Sequence, residues 1–363
     1  MIGDNIKIKK WLLPLSFLYG LGVRFRNILF DWGIIKSKSF PMPIICVGNL
    51  TVGGTGKTPH TELLIELLQE DYNVAVLSRG YKRKTKGFIE ANELSTPFTI
   101  GDEPCQIKSK YPNITVAVDR DRCNGIEKLM SKQDPFIDVV LLDDAFQHRK
   151  VKAGLNILLT DYNRLFTEDK LLPAGRLREP TKGKDRAHIV IVTKCPEDIK
   201  PIHYNIVSKH LDLYPFQDLF FSRFKYGDLT PVFPNKQKSR QLTSITNKDE
   251  VLLVTGIANP KTLEDKIKEY TSRITSLNFQ DHHNFKSIDI KRIANQFDKM
   301  NSASKIIITT EKDAIRLKGL KEIPDEVKNN LYALPVRILI LQQQKHKFIK
   351  KINNYVRENQ RNR

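Results

Sequence analysis

The chain has 363 residues, 40% of them hydrophobic, more than one core usually serves, so two domains are expected. Sixty Lys and Arg against 41 Asp and Glu leave a net charge of +19, which favours anionic partners: nucleotide, phospholipid surface or nucleic acid. Cys46, Cys105, Cys123 and Cys195 are too scattered for a paired metal or redox motif, which excludes those classes and fits a reduced compartment with inert thiols.

Residues 11–30 are the most apolar stretch, but Pro14, Arg24 and Arg26 interrupt it. A bilayer crossing needs about 20 mostly uncharged apolar residues. Lys7, Lys9 and Lys10 precede it as in a signal peptide, yet Arg24-Phe25-Arg26 follows and no small-residue cleavage site does. Wound as a helix, Leu18, Leu21, Gly22, Phe25, Ile28 and Leu29 form one stripe, with Ser16, Gly20, Asn27 and Asp31 opposite. Arg24 and Arg26 fall on the stripe's borders, where their guanidinium groups could reach lipid phosphates. The pattern suits a helix packed on the protein's own core or one lying in a membrane interface. Trp11 and the basic flanks favour the interface, so residues 1–35 are expected to be an amphipathic interfacial helix.

Residues 44–47 read as a buried strand, and Leu63, Leu64, Leu67 and Leu68 mark a helix. Between them runs Gly48-Asn49-Leu50-Thr51-Val52-Gly53-Gly54-Thr55-Gly56-Lys57-Thr58-Pro59. Strand, glycine-rich turn, Lys-Thr and helix form a phosphate cradle. Its amides wrap a polyphosphate and the helix start adds positive dipole. ATP is therefore expected against Thr51, Val52, Gly53, Gly54, Thr55, Gly56, Lys57 and Thr58. Lys57 would reach the β- and γ-phosphates and Thr58 would hold Mg²⁺. Thr51 stands where the usual motif has its first glycine. Partitioning and septum-site ATPases have a lysine where this chain has Val52.

Residues 73–78, 115–118, 137–142, 155–159 and 188–192 read as further strands separated by helical stretches. The alternation predicts a mostly parallel sheet covered on both faces, a P-loop NTPase-like α/β/α domain over residues 36–215. Residues 196–249, including Phe220-Phe221-Ser222-Arg223-Phe224-Lys225-Tyr226, read as a connection. Strands at 251–255, 274–279, 305–309 and 332–338 then predict a smaller α/β domain over residues 216–363, closing in a basic helix that ends Arg361-Asn362-Arg363.

Residues 137–142 lead into Asp143 and Asp144, a strand ending in two carboxylates that suits Mg²⁺ support or a helix cap. His148 and Arg149 follow and could meet an anionic substrate. Gly101-Asp102-Glu103-Pro104 has the chemistry of a helix start, and equally of a general base at Asp102. Asp281-His282-His283 lacks zinc-helix spacing. Pro173-Ala174-Gly175-Arg176-Leu177-Arg178-Glu179-Pro180 is a turn-rich loop suited to an anion.

Residues 47–59, Ser78-Arg79-Gly80-Tyr81, 101–104, 143–149, 173–180, Asp281-His282 and Thr310-Glu311-Lys312-Asp313-Ala314 occur in one order. Together they resemble the tetraacyldisaccharide 4'-kinase family, the lipid A pathway kinases of Gram-negative bacteria, from the N-terminal helix to about Leu317. The resemblance implies transfer of the ATP γ-phosphate to the 4'-hydroxyl of a tetraacyldisaccharide 1-phosphate at the cytoplasmic face of the inner membrane. It implies Lys57 and Thr58 on phosphate and Mg²⁺, Asp143 and Asp144 as metal-supporting acids, and Asp102 as base with His282 as partner from the second domain. Such a pair would assemble on domain closure. Glu103, His148, Arg178 and Glu179 fall in site-lining motifs, Glu103 beside the metal-supporting acids, and either Arg120 or Arg122 contacts substrate. Ala145 replaces a common glycine and Lys82 a frequent small residue, which bears on loop geometry. The alternative is a partitioning or targeting P-loop ATPase switch. With no nucleic-acid module or stacking motif in the sequence, a nucleic-acid partner is not expected.

Overall fold

The computed structural model describes residues 8–234, 238–320 and 322–360. Lys7 and the terminal Arg361-Asn362-Arg363 lie outside them. The strands are β1 (Ile44–Asn49), β2 (Val74–Ser78), β3 (Ile89–Glu90), β4 (Thr115–Val118), β5 (Val139–Asp143), β6 (Leu155–Asp161), β7 (Ile189–Thr193), β8 (Asp218–Tyr226), β9 (Thr230–Pro231), β10 (Asp249–Thr255), β11 (Ile274–Asn278), β12 (Ser304–Thr310), β13 (Leu331–Leu334) and β14 (Val336–Ile340). The α-helices are α1 (Leu13–Asp31), α2 (Lys57–Leu68), α3 (Pro97–Ile100), α4 (Asp102–Lys110), α5 (Arg122–Met130), α6 (Pro201–Leu211), α7 (Lys261–Lys268), α8 (Ser287–Asp298), α9 (Glu311–Lys318), α10 (Asp325–Lys328) and α11 (Lys345–Gln360).

The chain forms two compact units. The first comprises Met1–Leu94, Ile107–Phe224 and Ile338–Arg363. Its nine-stranded sheet has the order β14-β8-β7-β6-β1-β5-β2-β4-β3. Strands from β8 through β4 pair in parallel, and the short β3 closes that edge antiparallel. Every residue of β1, β2, β4, β5 and β7 is buried. That is why these runs read as continuous apolar segments rather than alternating ones. Because β1 lies between β5 and β6, the loop after β1 and the acids ending β5 share one carboxyl edge of the sheet. Burial pushes the Cys46 and Cys195 thiols up to about 12, consistent with inert thiols.

The second unit comprises Ser95–Gln106 and Lys225–Arg337, with a sheet of order β11-β10-β12-β13-β9. Its core gathers Leu252, Val254, Ile307 and Leu331 from the strands and Phe297 and Leu317 from the helices.

Three expectations about organisation change. The stretch around Phe220, read as a connection, is β8, a member of the nine-stranded sheet, so the boundary at residue 215 cuts off a strand. Its Phe220, Phe221 and Ser222 are buried, although charged neighbours hide the strand pattern. The run 332–338 is two strands in different sheets, broken at Pro335. The terminal basic helix α11 belongs to the first unit. Phe348, Ile352 and Val356 are buried there, Lys347 and Lys351 hold Asp218 at 2.9 and 2.8 Å, and the Tyr355 hydroxyl bonds both N and O of Ile44 at 3.0 Å.

Candidate active site

In the first unit, the loop after β1 is built by pairing as much as by glycine. Val52 N donates to Arg176 O at 2.7 Å and Arg178 N to Leu50 O at 2.7 Å, so residues 50–52 run extended beside residues 176–178. Thr51 is part of that pairing and has no left-handed backbone, which accounts for a threonine where a glycine was expected. The positive φ values fall at Gly53 (108°) and Gly56 (86°) instead. Gly56 precedes α2, and a Cβ there would stand 3.2 Å from the Phe224 ring. Asn49 donates to Thr55 Oγ1 at 2.8 Å and Thr193 to Thr55 O at 2.9 Å, which ties the loop's centre to two strands.

His60, which the sequence reading passed over, fixes the loop's end. Its Nδ1 lies 2.7 Å from Gly56 O and its Nε2 3.0 Å from Ser222 Oγ. Burial pushes it down to about 4, outweighing the bond to the Gly56 carbonyl. Its neutral ring serves the loop as a fixed strut.

Lys57 Nζ stands 3.6 Å from Asp144 Oδ1, and Arg178 Nη1 stands 3.1 Å from the same oxygen. Burial alone would raise the Asp144 carboxyl, but Lys57 and then Arg178 hold it below its usual value. Asp144 takes a φ of 48°, so the left-handed turn falls on the aspartate and not on Ala145, whose replacement of a glycine costs nothing here. Lys82 does adopt a left-handed φ of 60°, in an exposed turn. Asp143 is buried and accepts from Thr61 at 3.2 Å, and Thr58 sits in the first turn of α2. Thr58, Asp143 and Asp144 together are a hydroxyl and carboxylates, hard oxygen donors of the kind Mg²⁺ takes. Among the described residues no cluster of three or more His, Cys, Asp or Glu is poised as a complete metal cage.

The remaining expected residues separate. Arg122 is almost wholly buried, donating to Asp119 O at 2.5 Å and Asp143 O at 3.3 Å, so it braces the acidic strand end. Arg120 is exposed. Glu179 is buried and held by Arg186 at 2.8 Å and Gln147 at 3.0 Å. His148 is half-buried, pushed down to about 4 by burial and then by Arg122, and its Nε2 has no hydrogen-bond partner among the described residues.

In the second unit lies a separate charged cluster. Asp102 opens α4, and among the described residues its side-chain hydrogen bonds end on Oδ2: His282 Nδ1 at 3.0 Å and Arg316 Nη2 at 2.6 Å. Lys312 reaches Glu103 Oε1 at 2.8 Å and His282 Nε2 at 3.1 Å. A lysine ammonium has only donors, so His282 Nε2 accepts and Nδ1–H donates to Asp102. Burial alone would raise the Asp102 carboxyl, but His282 and Arg316 hold it well below the carboxylate range. Lys312 likewise holds Glu103 low against its burial. His282 takes a left-handed φ of 60°, its amide on Gly256 O at 3.2 Å. Asp102 and His282 were expected on different domains, paired only on closure. They lie in one unit and are already paired, because residues 95–106 fold with the second unit. Glu103, expected near the metal, is in that unit too, facing Lys312.

Helix α1 docks the opposite way from an ordinary surface helix. Its buried residues are Ser16, Gly20 and Phe30, while Phe17, Leu18, Leu21 and Phe25 face outward at 46% exposure or more. Ser16 bonds Leu171 O at 3.0 Å and receives Ala174 N at 2.9 Å, and Tyr19 OH donates to Arg178 O at 2.7 Å. Arg26, placed by the sequence at the lipid border, instead donates to Gln147 O at 3.0 Å and lies over Phe30. Arg149 holds Asn27 O at 3.0 Å and Asp31 at 2.5 Å. Arg24 remains exposed. No helix among the described residues is long and apolar enough to cross a membrane.

The LpxK family, described as tetraacyldisaccharide-1-P 4'-kinase, matches residues 8–357. A tetraacyldisaccharide 4'-kinase from Bacteroides thetaiotaomicron is 57% identical over 98% of this chain and 96% of its own. One from Porphyromonas gingivalis is 48% identical over 96% of this chain and 98% of its own. Among solved structures, an "apo" form LpxK from Aquifex aeolicus in complex with ATP is similar with a TM-score of 0.73 and 30% identity, covering 96% of this chain and 99% of that one.

Proposed function

This chain belongs to the tetraacyldisaccharide-1-P 4'-kinase family, and from that premise we propose how its residues divide the work. The protein is an ATP-dependent kinase that phosphorylates the 4'-hydroxyl of a tetraacyldisaccharide 1-phosphate in lipid A biosynthesis. In our reading the triphosphate lies over residues 51–58. The amides at Gly53, Gly54 and Gly56 would meet it, while the Thr55 amide stays on Gly53 O, and Lys57 and Arg178 leave Asp144 for the stronger charge of the phosphates. Thr58, Asp143 and Asp144 would hold Mg²⁺, which neutralises phosphate charge when bound.

Asp102 takes the acceptor proton. The hydroxyl oxygen bonds the γ-phosphorus, the bond to the bridging oxygen breaks, ADP leaves, and the proton passes to Asp102. A carboxylate held so acidic is a weak base at equilibrium. Phosphoryl transfer through a loose transition state asks mainly for orientation, with the proton moving late, which suits a carboxylate fixed by His282.

The observation that carries the lipid reading is the docking of α1. Its inner face is bonded to residues 147–149 and 171–178, the loops that also hold Asp144, while its outer face is bare hydrocarbon. Burying that face in anionic lipid, with Lys9, Lys10 and Arg24 at the phosphate level, would place the loops at the surface where the glycolipid lies. We therefore assign the protein to the cytoplasmic face of the inner membrane as a peripheral enzyme. Labelled phosphate should pass from ATP to the purified disaccharide lipid and much more slowly to the same disaccharide without acyl chains. Equal rates with both would remove the lipid-presentation reading. The partitioning-ATPase alternative loses its footing because the chain belongs to the kinase family and carries Val52 in place of the lysine.

A further inference from the structure

Arg316 was not singled out by any motif, yet among the described residues it ties together two carboxylates, a histidine and a backbone carbonyl of the second unit. It projects from α9 with little exposure. One arm of its guanidinium reaches Asp102 Oδ2 at 2.6 Å and stands 3.3 Å from His282 Nδ1. The other reaches Asp313 Oδ1 at 2.8 Å and Gly256 O at 3.4 Å. Asp313 is itself fully buried and anchored, accepting from Gly256 N and Thr310 Oγ1 at 2.8 Å each. The groups around Asp102 are thus the charged Glu103, Lys312, Asp313 and Arg316 and the His282 ring, with Asp281 4.0 Å from His282. A rigid chain runs from the carboxyl end of β10, through Asp313 and the guanidinium, to one oxygen of Asp102.

We propose that Arg316 is a positioning residue for the kinase reaction, bridging Asp102 to Asp313 so that Oδ2 is fully engaged and Oδ1 is left to receive the acceptor proton. The proposal rests on the reading of Asp102 as the base. A single hydrogen bond from His282 would leave the carboxylate free to rotate about it. Two donors converging on the same oxygen, one of them on a planar fork fixed at its far end, remove that freedom. Arg316 touches neither phosphate nor sugar in this account and acts wholly through Asp102.

The test uses the full chain with ATP and the disaccharide lipid. Arg316→Lys keeps a charge but cannot span both carboxylates in one plane. It should lower kcat about 100-fold while leaving KM for ATP within about 2-fold, the cost of a misplaced catalytic group. Arg316→Ala should fall further and recover at least in part on addition of guanidinium, but not of methylammonium. In an Asp102→Asn background, Arg316→Lys should cost no more than about 2-fold, because the two act as one unit. Arg316→Lys turning over at the parent rate would overturn the proposal. So would a full 100-fold loss persisting in the Asp102→Asn background, which would mark a role in folding alone. Failure of the base reading shows separately, as parent-like turnover by Asp102→Asn on its own.

Discussion

Lys57 Nζ and Asp144 Oδ1 stand 3.6 Å apart, a lysine and an aspartate from two neighbouring strands' loops holding each other's charge at the carboxyl edge of the sheet. The pair makes the cradle a balanced site before any phosphate arrives. Lys57→Met should cut phosphoryl transfer by about 10²–10³-fold, the effect of removing one group that stabilises developing charge. Arg178 still neutralises Asp144, so denaturant unfolding should change by less than about 1 kcal/mol. Transfer within a few fold of the parent would contradict the cradle.

Gly56 is the loop position with least room for change. Its φ of 86° strains any residue with a Cβ, and that Cβ would meet the Phe224 ring at 3.2 Å. Gly56→Ala is expected to weaken ATP binding, read as a raised KM for ATP, with a stability loss of about 1–2 kcal/mol. Gly54→Ala is the control: nothing stands within 4 Å of its Cβ, so the fold should barely change.

His60 gives the stability a pH dependence. Its folded value is about 4 against 6.5 ordinarily, so between those values the unfolded chain binds more protons. Stability therefore rises with pH across that window, is fully present above about 6.5, and is lost as pH falls towards 4. The contribution is on the order of 3 kcal/mol at neutral pH. His148, also pushed down to about 4, adds in the same direction. Urea midpoints measured from pH 7 to 4 should drop steeply for the parent and less steeply for His60→Gln. Parallel slopes would refute the strut.

The outer stripe of α1 can be changed without touching the fold. Phe17, Leu18 and Leu21 are 64%, 62% and 46% exposed, so replacing all three by serine should alter stability little. Each such side chain is worth about 1.5–3 kcal/mol when buried, so the triple variant should lose at least ~100-fold in affinity for anionic vesicles. Undiminished co-sedimentation would mean that lipid does not cover this face. Ser16→Leu is the converse experiment, disturbing the contacts to Leu171 and Ala174 while leaving the stripe whole.

Local chemistry made much of this molecule legible from its residues. The phosphate loop and the acids after β5 announce themselves because glycine and Lys-Thr answer to a turn and a helix start a few residues away, and the parallel strands because burial on both faces leaves an unbroken apolar run wherever their partners lie in the chain. The order of the motifs then narrowed the family. What tertiary structure alone decided were the partnerships between distant segments. Residues 95–106 leave the first unit and bring Asp102 to His282. Pro335 divides one apolar run between two sheets. Arg316 grips a carboxylate that precedes it by more than two hundred positions. Arg26 turns inward, although its place on the helix border pointed to lipid. Periodicity tells which face of an element is apolar, but which face is covered depends on what the rest of the chain delivers to it. On α1 the small polar face is the covered one, because Ser16 and Gly20 let a loop approach closely enough to form hydrogen bonds.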